Sequence, residues 1–342
     1  MIDWLKIRYP YRADGLIPAD RLARITPDGE VVWQRVCRHE LRGSFDQALQ
    51  VSCCAYSGEL LVDGNPAKFF QGHNLFGTER LRGLAMATLA AVVDRLQLPA
   101  AESVLTSTAL GDFELLRVDL TQMYSLDALA NVRAALRGLH GRAVVKHRAH
   151  GRGEMKGGTL YFGKHSRRVG QKFYGKLDEV TERGHTLPDD LPGRTKLLEW
   201  VAPMLRHEVV VRAMELKRRG LEKGSAWCDT TCATLYSEMR EKLQIPEVLE
   251  LPSATLEGLP GRLQLAYDAW RRGSDLRAQL SRRTFFRYRA ELLKHGLDIS
   301  IPQPADPLSN VVPLVRVLEM RPVGVPEWAI GTALYFEPEA AA

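Results

Sequence analysis

A tyrosine and a lysine two residues apart, in Tyr174-Gly-Lys176, carry the clearest signal of nucleophilic chemistry in this sequence. A phenol can attack a DNA phosphodiester and leave a 5′-phosphotyrosine with a free 3′-OH, and the covalent link keeps the energy needed for rejoining. The phenol, whose ordinary pKa is about 10, must lose its proton, and Lys176 can neutralise charge that develops on the phosphate. Alternation predicts a strand at residues 172–177 with both side chains on one face. The alternative is a strand tyrosine that only packs on the sheet.

Two triplets, Arg117-Val-Asp119 and Arg206-His-Glu208, form a weak internal repeat. Residues two apart in a strand share a face, so each triplet predicts an arginine beside a carboxylate. Carboxylate oxygens are hard ligands suited to Mg²⁺ or Mn²⁺, and a divalent metal supplies positive charge to non-bridging phosphate oxygens. The alternative is that Asp119 and Glu208 only pair with Arg117 and Arg206. Because each triplet follows a helix, the repeat favours two split βαβ units that share one site.

The polar loop 64–78 leads into a helix predicted to begin near Glu79, with Thr78 as the N-cap. Polar groups at a helix N-terminus suit phosphate binding. The candidate DNA contacts of this loop are Lys68, Gln71 and Asn74. His73 is a candidate metal ligand or base, and the alternative is a structural turn with a hydrogen-bonded histidine.

Hydrophobic periodicity alternates between strand-like and helix-like segments over about the first 220 residues. The predicted strands cover residues 4–9, 31–40, 47–63, 113–120, 143–149, 158–163, 169–177 and 205–214. The predicted helices cover residues 79–96, 125–139 and 197–204. This succession favours an α+β fold with an antiparallel sheet and duplicated split βαβ units of the RRM-like kind.

The chain after about Gly224 is predicted to be mostly helical. The predicted helices cover residues 226–242, 260–272, 275–280 and 281–295. Ser281 is an N-cap and Gly296 a C′ residue for the last of them. Its candidate DNA contacts are Arg282, Arg283 and Arg287. Two short helices of this kind predict a helix-turn-helix-like DNA reader, and the alternative is a basic amphipathic helix packed on the preceding domain.

Three regions follow from these patterns: a catalytic domain at 1–224, a helical DNA-binding or accessory region at 225–300 and a Pro-rich tail at 301–342, in which 311–320 predicts one strand. Positive charge is concentrated in two stretches. Residues 142–183 hold eleven Lys or Arg against four acids, and residues 262–294 hold nine against three. Both contain aromatic side chains, a combination that suits phosphate backbones and unstacked bases. The alternative is a solvated basic surface.

Composition and missing motifs exclude several classes of protein. Hydrophobic residues make up 45% and charged residues 26%, which is typical of a globular chain. No P-loop, dinucleotide fingerprint, G-x-S-x-G or H-E-x-x-H motif occurs. The longest apolar run is too short to span a bilayer and the N-terminus does not have the pattern of a signal peptide. The five cysteines, with Cys53 and Cys54 adjacent, predict reduced structural thiols in a cytosolic protein. The short apolar run predicts no membrane partner.

These segments together resemble the replication initiation proteins of filamentous bacteriophages, the gene-two-type rolling-circle initiators. The matching segments are Met1-Ile-Asp-Trp-Leu-Lys-Ile-Arg-Tyr-Pro10, Asn65-Pro-Ala-Lys-Phe-Phe-Gln-Gly-His-Asn-Leu-Phe-Gly-Thr78, Arg117-Val-Asp-Leu-Thr121, the strand with Tyr174-Gly-Lys176, Leu205-Arg-His-Glu-Val-Val-Val-Arg212 with residues 216–221, and residues 281–296. They run in family order over about residues 1–300. The block at 65–78 is long and specific.

The resemblance implies a site- and strand-specific endonuclease that nicks the supercoiled replicative form at the phage origin and later rejoins the displaced single strand. It places the nucleophilic tyrosine at Tyr174 and implies Mg²⁺ as cofactor. It also implies a host helicase and polymerase as partners and action in the bacterial cytoplasm. Two other interpretations are kept: a non-catalytic DNA-binding replication accessory or regulator, and a metal-dependent hydrolytic nuclease without a covalent step.

Overall fold

The computed structural model describes residues 1–17, 21–36, 38–43, 47–99, 102–142, 144–145, 153–182, 186–244, 249–250, 260–271, 273–293, 298–300, 317–318 and 320–339. The strands are β1 (Ile2–Arg12), β2 (Arg21–Ile25), β3 (Val31–Val36), β4 (His39–Arg42), β5 (Ala48–Cys53), β6 (Glu59–Gly64), β7 (Glu114–Ser125), β8 (Val144–Val145), β9 (Glu154–Lys156), β10 (Thr159–Phe162), β11 (Val169–Gly175), β12 (Met204–Arg212), β13 (Leu243–Gln244), β14 (Leu249–Glu250), β15 (Val317–Leu318) and β16 (Arg321–Val323). The helices are α1 (Pro66–Gln71), α2 (Leu81–Arg95), α3 (Glu102–Ala109), α4 (Leu129–Arg142), α5 (Lys176–Thr181), α6 (Arg194–Val201), α7 (Ala213–Arg219), α8 (Thr231–Glu241), α9 (Gly261–Arg271), α10 (Leu276–Gln279) and α11 (Arg282–Leu293).

A large antiparallel sheet organises the first two thirds of the chain. Within the described residues its strand order is β4-β5-β6-β1-β7-β12-β11-β10-β9, and β16 also pairs with β7. Both β6 and β7 are antiparallel to β1, so they run parallel to each other and the α2 crossover joins them. In the same way β7 and β11 are both antiparallel to β12, which lies between them. Helix α4 lies on the connection from β7 to β11. The α+β fold with an antiparallel sheet and two split βαβ units is confirmed.

One face of the sheet forms the hydrophobic core. Its buried residues on the four central strands include Leu5, Ile7, Tyr9, Val118, Leu120, Phe173, Val209 and Val211. Helix α2 packs on this face, where the Tyr9 hydroxyl donates to the carbonyl of Ala85 over 2.8 Å. Helix α4 packs beside it on Phe173 and Leu205. Because alternate side chains of a strand point to opposite faces, the other face keeps the polar residues.

The polar face is covered at one end by loop 72–80, helices α5 and α6, and the C-terminal segment 320–339. Their apolar side chains pack around Met123 and Met204, at the ends of β7 and β12. Phe336 stacks on Phe70 of α1 with ring centroids 4.1 Å apart, and its amide donates to the side chain of Gln71. The end of the predicted tail is therefore part of the folded body, while residues 301–316 lie outside the described residues.

The three regions predicted from the sequence divide differently in space. Helix α8 belongs to the core of the sheet, because Cys232, Leu235 and Met239 are buried against its apolar face. Helices α9, α10 and α11 have a core of their own. This helical unit contacts α4 through Asp298. The carboxylate of Asp298 accepts a hydrogen bond from Arg289 at 2.7 Å and lies 3.1 Å from Nδ1 of His140 on α4. The change of architecture thus falls after α8 rather than at residue 224.

Lys176 lies on helix α5 and not on a strand, so that part of the predicted strand 172–177 is wrong. Strand β11 ends at Gly175, and the helix begins at the next residue. Asp178 and Glu179 occupy the first turn, where carboxylates stabilise a helix through its dipole. These two acids are the signal in the sequence that favoured a helix.

Two predicted helix starts are also wrong. The N-cap of α2 is Arg80 rather than Thr78, because the carbonyl of Thr78 is bound by the amide of Ile2 of β1 instead of an amide of the helix. Helix α4 begins at Leu129 instead of residue 125, because Asp127 has φ +63°, which a helix cannot include. Ser281 caps α11 as predicted, since its hydroxyl accepts the amide of Thr284 at 3.2 Å. Residue 296 and residues 146–149 lie outside the described residues.

The described helices include none with the length and apolar character that crossing a membrane requires.

Candidate active site

The sequence-predicted residues of three strands lie on one face of the sheet. Asp119 of β7 is the register partner of Val210, and Glu208 is the partner of Lys172 on β11. Tyr174 is the partner of Arg206. Since register partners point to the same side of a sheet, Asp119, Glu208, Lys172 and Tyr174 share the polar face. The alternation of β7, β11 and β12 dictates this arrangement once their register is set.

Tyr174 is nearly buried and contacts groups of both charges. Its hydroxyl donates to Oε2 of Glu208 at 3.3 Å, and the other carboxylate oxygen is 2.8 Å from Nζ of Lys172. The ammonium of Lys172 lies 5.3 Å from the tyrosine ring centroid. Burial raises the pKa of Tyr174 well above its ordinary value, Arg206 opposes the shift and Glu208 adds to it. The phenol is therefore protonated in the resting protein and adjacent to a carboxylate that can accept its proton.

Asp119 is buried and held by the arginine two residues before it. Arg117 donates to Oδ1 at 2.7 Å and to Oδ2 at 2.5 Å, while its guanidinium also lies over the ring of Trp4. Burial raises the pKa of Asp119 to about 7; the hydrogen bonds of Arg117 oppose this shift and the charge of Glu208 adds to it. The predicted proximity of arginine and acid holds for this triplet.

Arg206 pairs with a different acid from the one its triplet predicts. Its guanidinium is completely buried, 2.9 Å from Asp3 and 3.0 Å from the hydroxyl of Thr121, and it also donates to the carbonyl of Asn74. Burial opposes ionisation of Asp3, yet the charges of Arg206 and Lys176 hold its pKa at about 2. Arg206 and Asp3 therefore form an internal ion pair below the polar face.

Lys176 is also completely buried, although its predicted role requires contact with a phosphate. Its ammonium donates to Asn74 at 2.9 Å and to Glu179 at 2.5 Å, and lies 5.8 Å from the ring centroid of Tyr174. Burial lowers the pKa of Lys176 to about 7, and nearby Arg206 lowers it further while Glu179 raises it. In this structure Lys176 fastens loop 72–80 to helix α5.

Loop 64–78 is built from local capping interactions. Asn65 caps α1 by accepting the amide of Lys68 at 2.9 Å, Pro66 occupies the first turn, and Gly72 ends the helix with φ +80°, a conformation that glycine adopts without strain. His73 follows directly and is buried, with Nδ1 accepting the amide of Leu75 at 3.3 Å. This contact lies within the turn, as the alternative interpretation of His73 as a structural turn residue predicts.

The two polar loop residues predicted to contact DNA are satisfied inside the protein. Gln71 donates to the carbonyls of His73 and Phe76 at 3.2 and 2.8 Å. The amide of Asn74 donates to Asp3 at 2.8 Å. Both side chains are buried, so they do not reach the protein surface here. Lys68 is half-buried beside them.

The donor set fits a divalent metal held by two carboxylates. Mg²⁺ is usually bound through one or two carboxylates and keeps several waters, and Asp119 and Glu208 are close enough for the charge of one to raise the pKa of the other. The described residues contain no group of three or more His, Cys, Asp and Glu side chains arranged to hold a metal. His73 is held within its own turn, and burial, with Lys176 nearby, lowers its pKa to about 3.

The arginines predicted to read DNA from α11 lie on one exposed surface of that helix. Arg282, Arg283 and Arg287 are exposed, and Phe286 between them is 47% exposed. Phe285 faces the core of the helical unit. Arg289 is bound to Asp298 and is not part of the exposed surface.

Two residues of the site were missed by the sequence patterns. Asp3 has no predicted role in the sequence analysis, although a carboxylate in a strand with apolar neighbours on both sides signals a buried partner. Lys172 was placed on the strand but given no role, and its spacing of two from Tyr174 was the available signal.

Two family models for phage replication-associated proteins match most of this chain. The family model for the N-terminal part of the phage gene-two replication-associated proteins matches residues 1–230, and the model for their C-terminal part matches residues 262–338. The gene-two replication-associated protein of Enterobacteria phage I2-2 is 35% identical over 335 residues, covering 95% of each chain. A solved rolling circle replication initiator protein from Geobacillus stearothermophilus matches 75% of this chain and 88% of its own, with 12% identity and a TM-score of 0.33. A score this low does not establish a shared fold.

Proposed function

The chain belongs to the gene-two family of phage replication-associated proteins, and from this premise we propose that it is a site- and strand-specific DNA endonuclease that starts rolling-circle replication at the phage origin and rejoins the displaced strand. One observation carries the proposal: the Tyr174 hydroxyl, the Glu208 carboxylate and the Lys172 ammonium meet on the polar face of the sheet. A nucleophile, a proton acceptor and a cation for the phosphate are thus adjacent.

The proposed reaction is a transesterification. The phenolic oxygen of Tyr174 attacks the phosphorus, its proton passes to Glu208, and the P–O3′ bond breaks. The phosphate stays on tyrosine as a 5′-phosphotyrosine, and the 3′ oxygen leaves as a hydroxyl after taking up a proton. Attack of a 3′-OH on the phosphotyrosine reverses these steps and closes the strand without ATP, in keeping with the missing P-loop.

Two lysines have distinct proposed roles near the phosphate. Lys172 has a partly exposed side chain, so it can turn from Glu208 toward a non-bridging oxygen. Lys176 is a positioning residue, because it is buried and ties Asn74 to α5. The direct phosphate contact predicted from Tyr174-Gly-Lys176 is therefore assigned to Lys172. Gln71, Asn74 and Arg206 are likewise assigned to holding loop 64–78 in place.

Mg²⁺, with Mn²⁺ as a substitute, is the proposed cofactor, held by Asp119 and Glu208. When bound it supplies positive charge to the non-bridging oxygens of the scissile phosphate. Binding requires Arg117 and Lys172 to release the two carboxylates, because both carboxylates are paired with these cations. Both released cations lie partly exposed on the polar face, where they can contact DNA.

The proposed partners are origin DNA, first as a supercoiled duplex and then as a displaced single strand, and a host helicase and polymerase in the bacterial cytoplasm. The exposed arginines of α11 supply the proposed duplex contacts. Lys68 and Arg117 supply contacts near the site. A polymerase extends the 3′-OH, and a helicase is needed because the chain has no P-loop.

The test uses supercoiled plasmid that carries the cognate origin, purified protein and Mg²⁺, with products resolved on a denaturing gel. We expect an origin-dependent nick whose 5′ end stays on the protein. A nick with a free 5′ end would indicate a hydrolytic nuclease. Salt-dependent origin binding with no nick would favour the regulator.

A further inference from the structure

One cation on the polar face has no acidic partner among the described residues. Lys6, Arg117, Lys172 and Arg206 each lie within 3.4 Å of a carboxylate. Arg212, at the end of β12, has none, and its Nη1 is buried without a hydrogen-bond partner in the part of the chain that the structure describes. A buried unpaired donor is unfavourable, so an anion that accepts a hydrogen bond from Nη1 would be stabilising at this position.

Arg212 lies on the polar face beside a glycine of the neighbouring strand. Arg212 is the register partner of Arg117, so its side chain lies on the same face as the candidate active site. On the neighbouring strand Gly170 has no side chain, and a Cβ atom there would lie 3.5 Å from Nη1. The amide of Arg212 donates to the carbonyl of Arg168 at 2.9 Å, which joins it to the turn between β10 and β11.

That turn, at residues 163–168, brings further positive charge to the same place. Arg167 and Arg168 are exposed, and the structure gives neither a carboxylate partner within the described residues. The turn is ordered by Ser166, whose hydroxyl accepts the amides of Arg168 and Val169 at 3.2 Å each. Lys164 differs from these arginines because it lies 3.8 Å from Glu154 and over the ring of Tyr161.

We propose that Arg212, with Arg167 and Arg168, forms a second phosphate subsite that holds the DNA backbone beside the cleavage point. Arg212 lies four positions after Glu208 along β12, a distance of about 13 Å. At a rise of ~3.4 Å per nucleotide this is about four nucleotides, and fewer for a stretched strand. The subsite rests on the proposed function and extends it, because a second phosphate contact keeps the scissile phosphate aligned with Tyr174.

The test measures binding of single-stranded oligonucleotides across the nick site in EDTA, where no cleavage occurs. A neutral methylphosphonate replaces one phosphate at a time. We expect one position, two to four nucleotides from the scissile phosphate, at which the replacement weakens wild-type binding about tenfold, as loss of a charge-assisted hydrogen bond predicts. The same replacement should leave binding by Arg212→Ala unchanged. This variant should fold, since the side chain has no partner to lose.

Lys164→Ala is the matched control, because it removes one charge from the same turn but keeps Arg212. It should retain the wild-type response at that position, whereas Arg167→Ala with Arg168→Ala should weaken it. Equal responses of wild type and Arg212→Ala at every phosphate would overturn the subsite. Nicking of the origin plasmid by wild-type protein is measured separately. If the wild-type protein nicks the origin but responds to every phosphate replacement as Arg212→Ala does, only the subsite is refuted. If the wild-type protein neither nicks the origin nor shows the difference from Arg212→Ala, the proposed function is refuted as well.

Discussion

The hydroxyl of Tyr174 donates to Oε2 of Glu208 across 3.3 Å and so links the candidate nucleophile of β11 to a candidate metal ligand of β12. The second oxygen of the same carboxylate is 2.8 Å from Lys172. One oxygen of Glu208 can therefore accept the phenolic proton while the other binds a cation. The two roles are compatible only if Lys172 moves away when metal or DNA arrives.

Tyr174→Phe should abolish the covalent protein–DNA adduct and lower nicking by a factor of ~10⁴ or more, because the nucleophile is absent. Origin binding should be nearly unchanged, since only one hydrogen bond is lost. A denaturing gel with 5′-labelled origin DNA measures the adduct. Tyr161→Phe, on the neighbouring strand, is the control and should keep it. An adduct that persists in Tyr174→Phe contradicts the assignment of the nucleophile.

Asp119→Asn and Glu208→Gln should each raise the Mg²⁺ concentration for half-maximal nicking by about tenfold or more, the equivalent of ~1.4 kcal/mol of binding free energy. The reason is the loss of one hard oxygen ligand of two. Asp63→Asn is the control, because this carboxylate of the same face pairs with Lys6 and is not proposed to hold metal. Unchanged Mg²⁺ dependence in both variants would refute the metal assignment.

Nicking at limiting Mg²⁺ should increase with pH and level off above about pH 7, because Asp119 has a pKa of about 7 and binds a cation only when ionised. Its pKa in the unfolded chain is near 3.8. The Asp119 contribution to stability is therefore fully present below that value and lost as the pH rises through about 7. In denaturant titrations, the free energy of unfolding should decrease less from pH 5 to pH 8 for Asp119→Asn than for wild type. Equal decreases would contradict the raised pKa.

Asp3→Ala should lower the free energy of unfolding by about 3–5 kcal/mol, because it leaves the buried Arg206 without its counter-charge. Chemical denaturation measures the loss. The stabilising contribution of Asp3 is present above pH 3.8 and lost as the pH falls through about 2. Asp14→Ala, which removes a carboxylate from an exposed pair with Arg12, is the control and should cause little change. Equal losses in the two variants would show that Asp3 is not needed for stability.

Arg283→Ala and Arg287→Ala should each weaken origin binding and reduce the slope of log affinity against log salt by about 0.9, the value for one phosphate contact on duplex DNA. Fluorescence anisotropy at several salt concentrations gives the slope. Arg12→Ala removes the same charge from an exposed pair outside the site and should leave the slope unchanged. If the α11 variants behave like Arg12→Ala, the helix is a packed basic element and not a DNA reader.

The sequence by itself determined which side chains share a face within one strand. Alternation places Arg117 beside Asp119 and sets Tyr174 apart from its apolar neighbour, because side chains of a strand point to opposite faces regardless of the fold around it. The Asn-Pro start and glycine end of α1 also specify a short helix through local capping, although the sequence analysis predicts only a polar loop at 64–78.

Only the tertiary structure decided which strands are neighbours and which charges are buried. Lys176 meets Asn74 across 102 residues of chain, and Arg206 binds Asp3 instead of the acid of its own triplet. Strand register and burial arise from packing between distant segments, which local periodicity does not encode. The two arginines of the apparent repeat therefore have different environments. Arg117 binds Asp119 at the partly exposed site. Arg206 is buried under loop 72–80, where desolvation makes an internal counter-ion necessary.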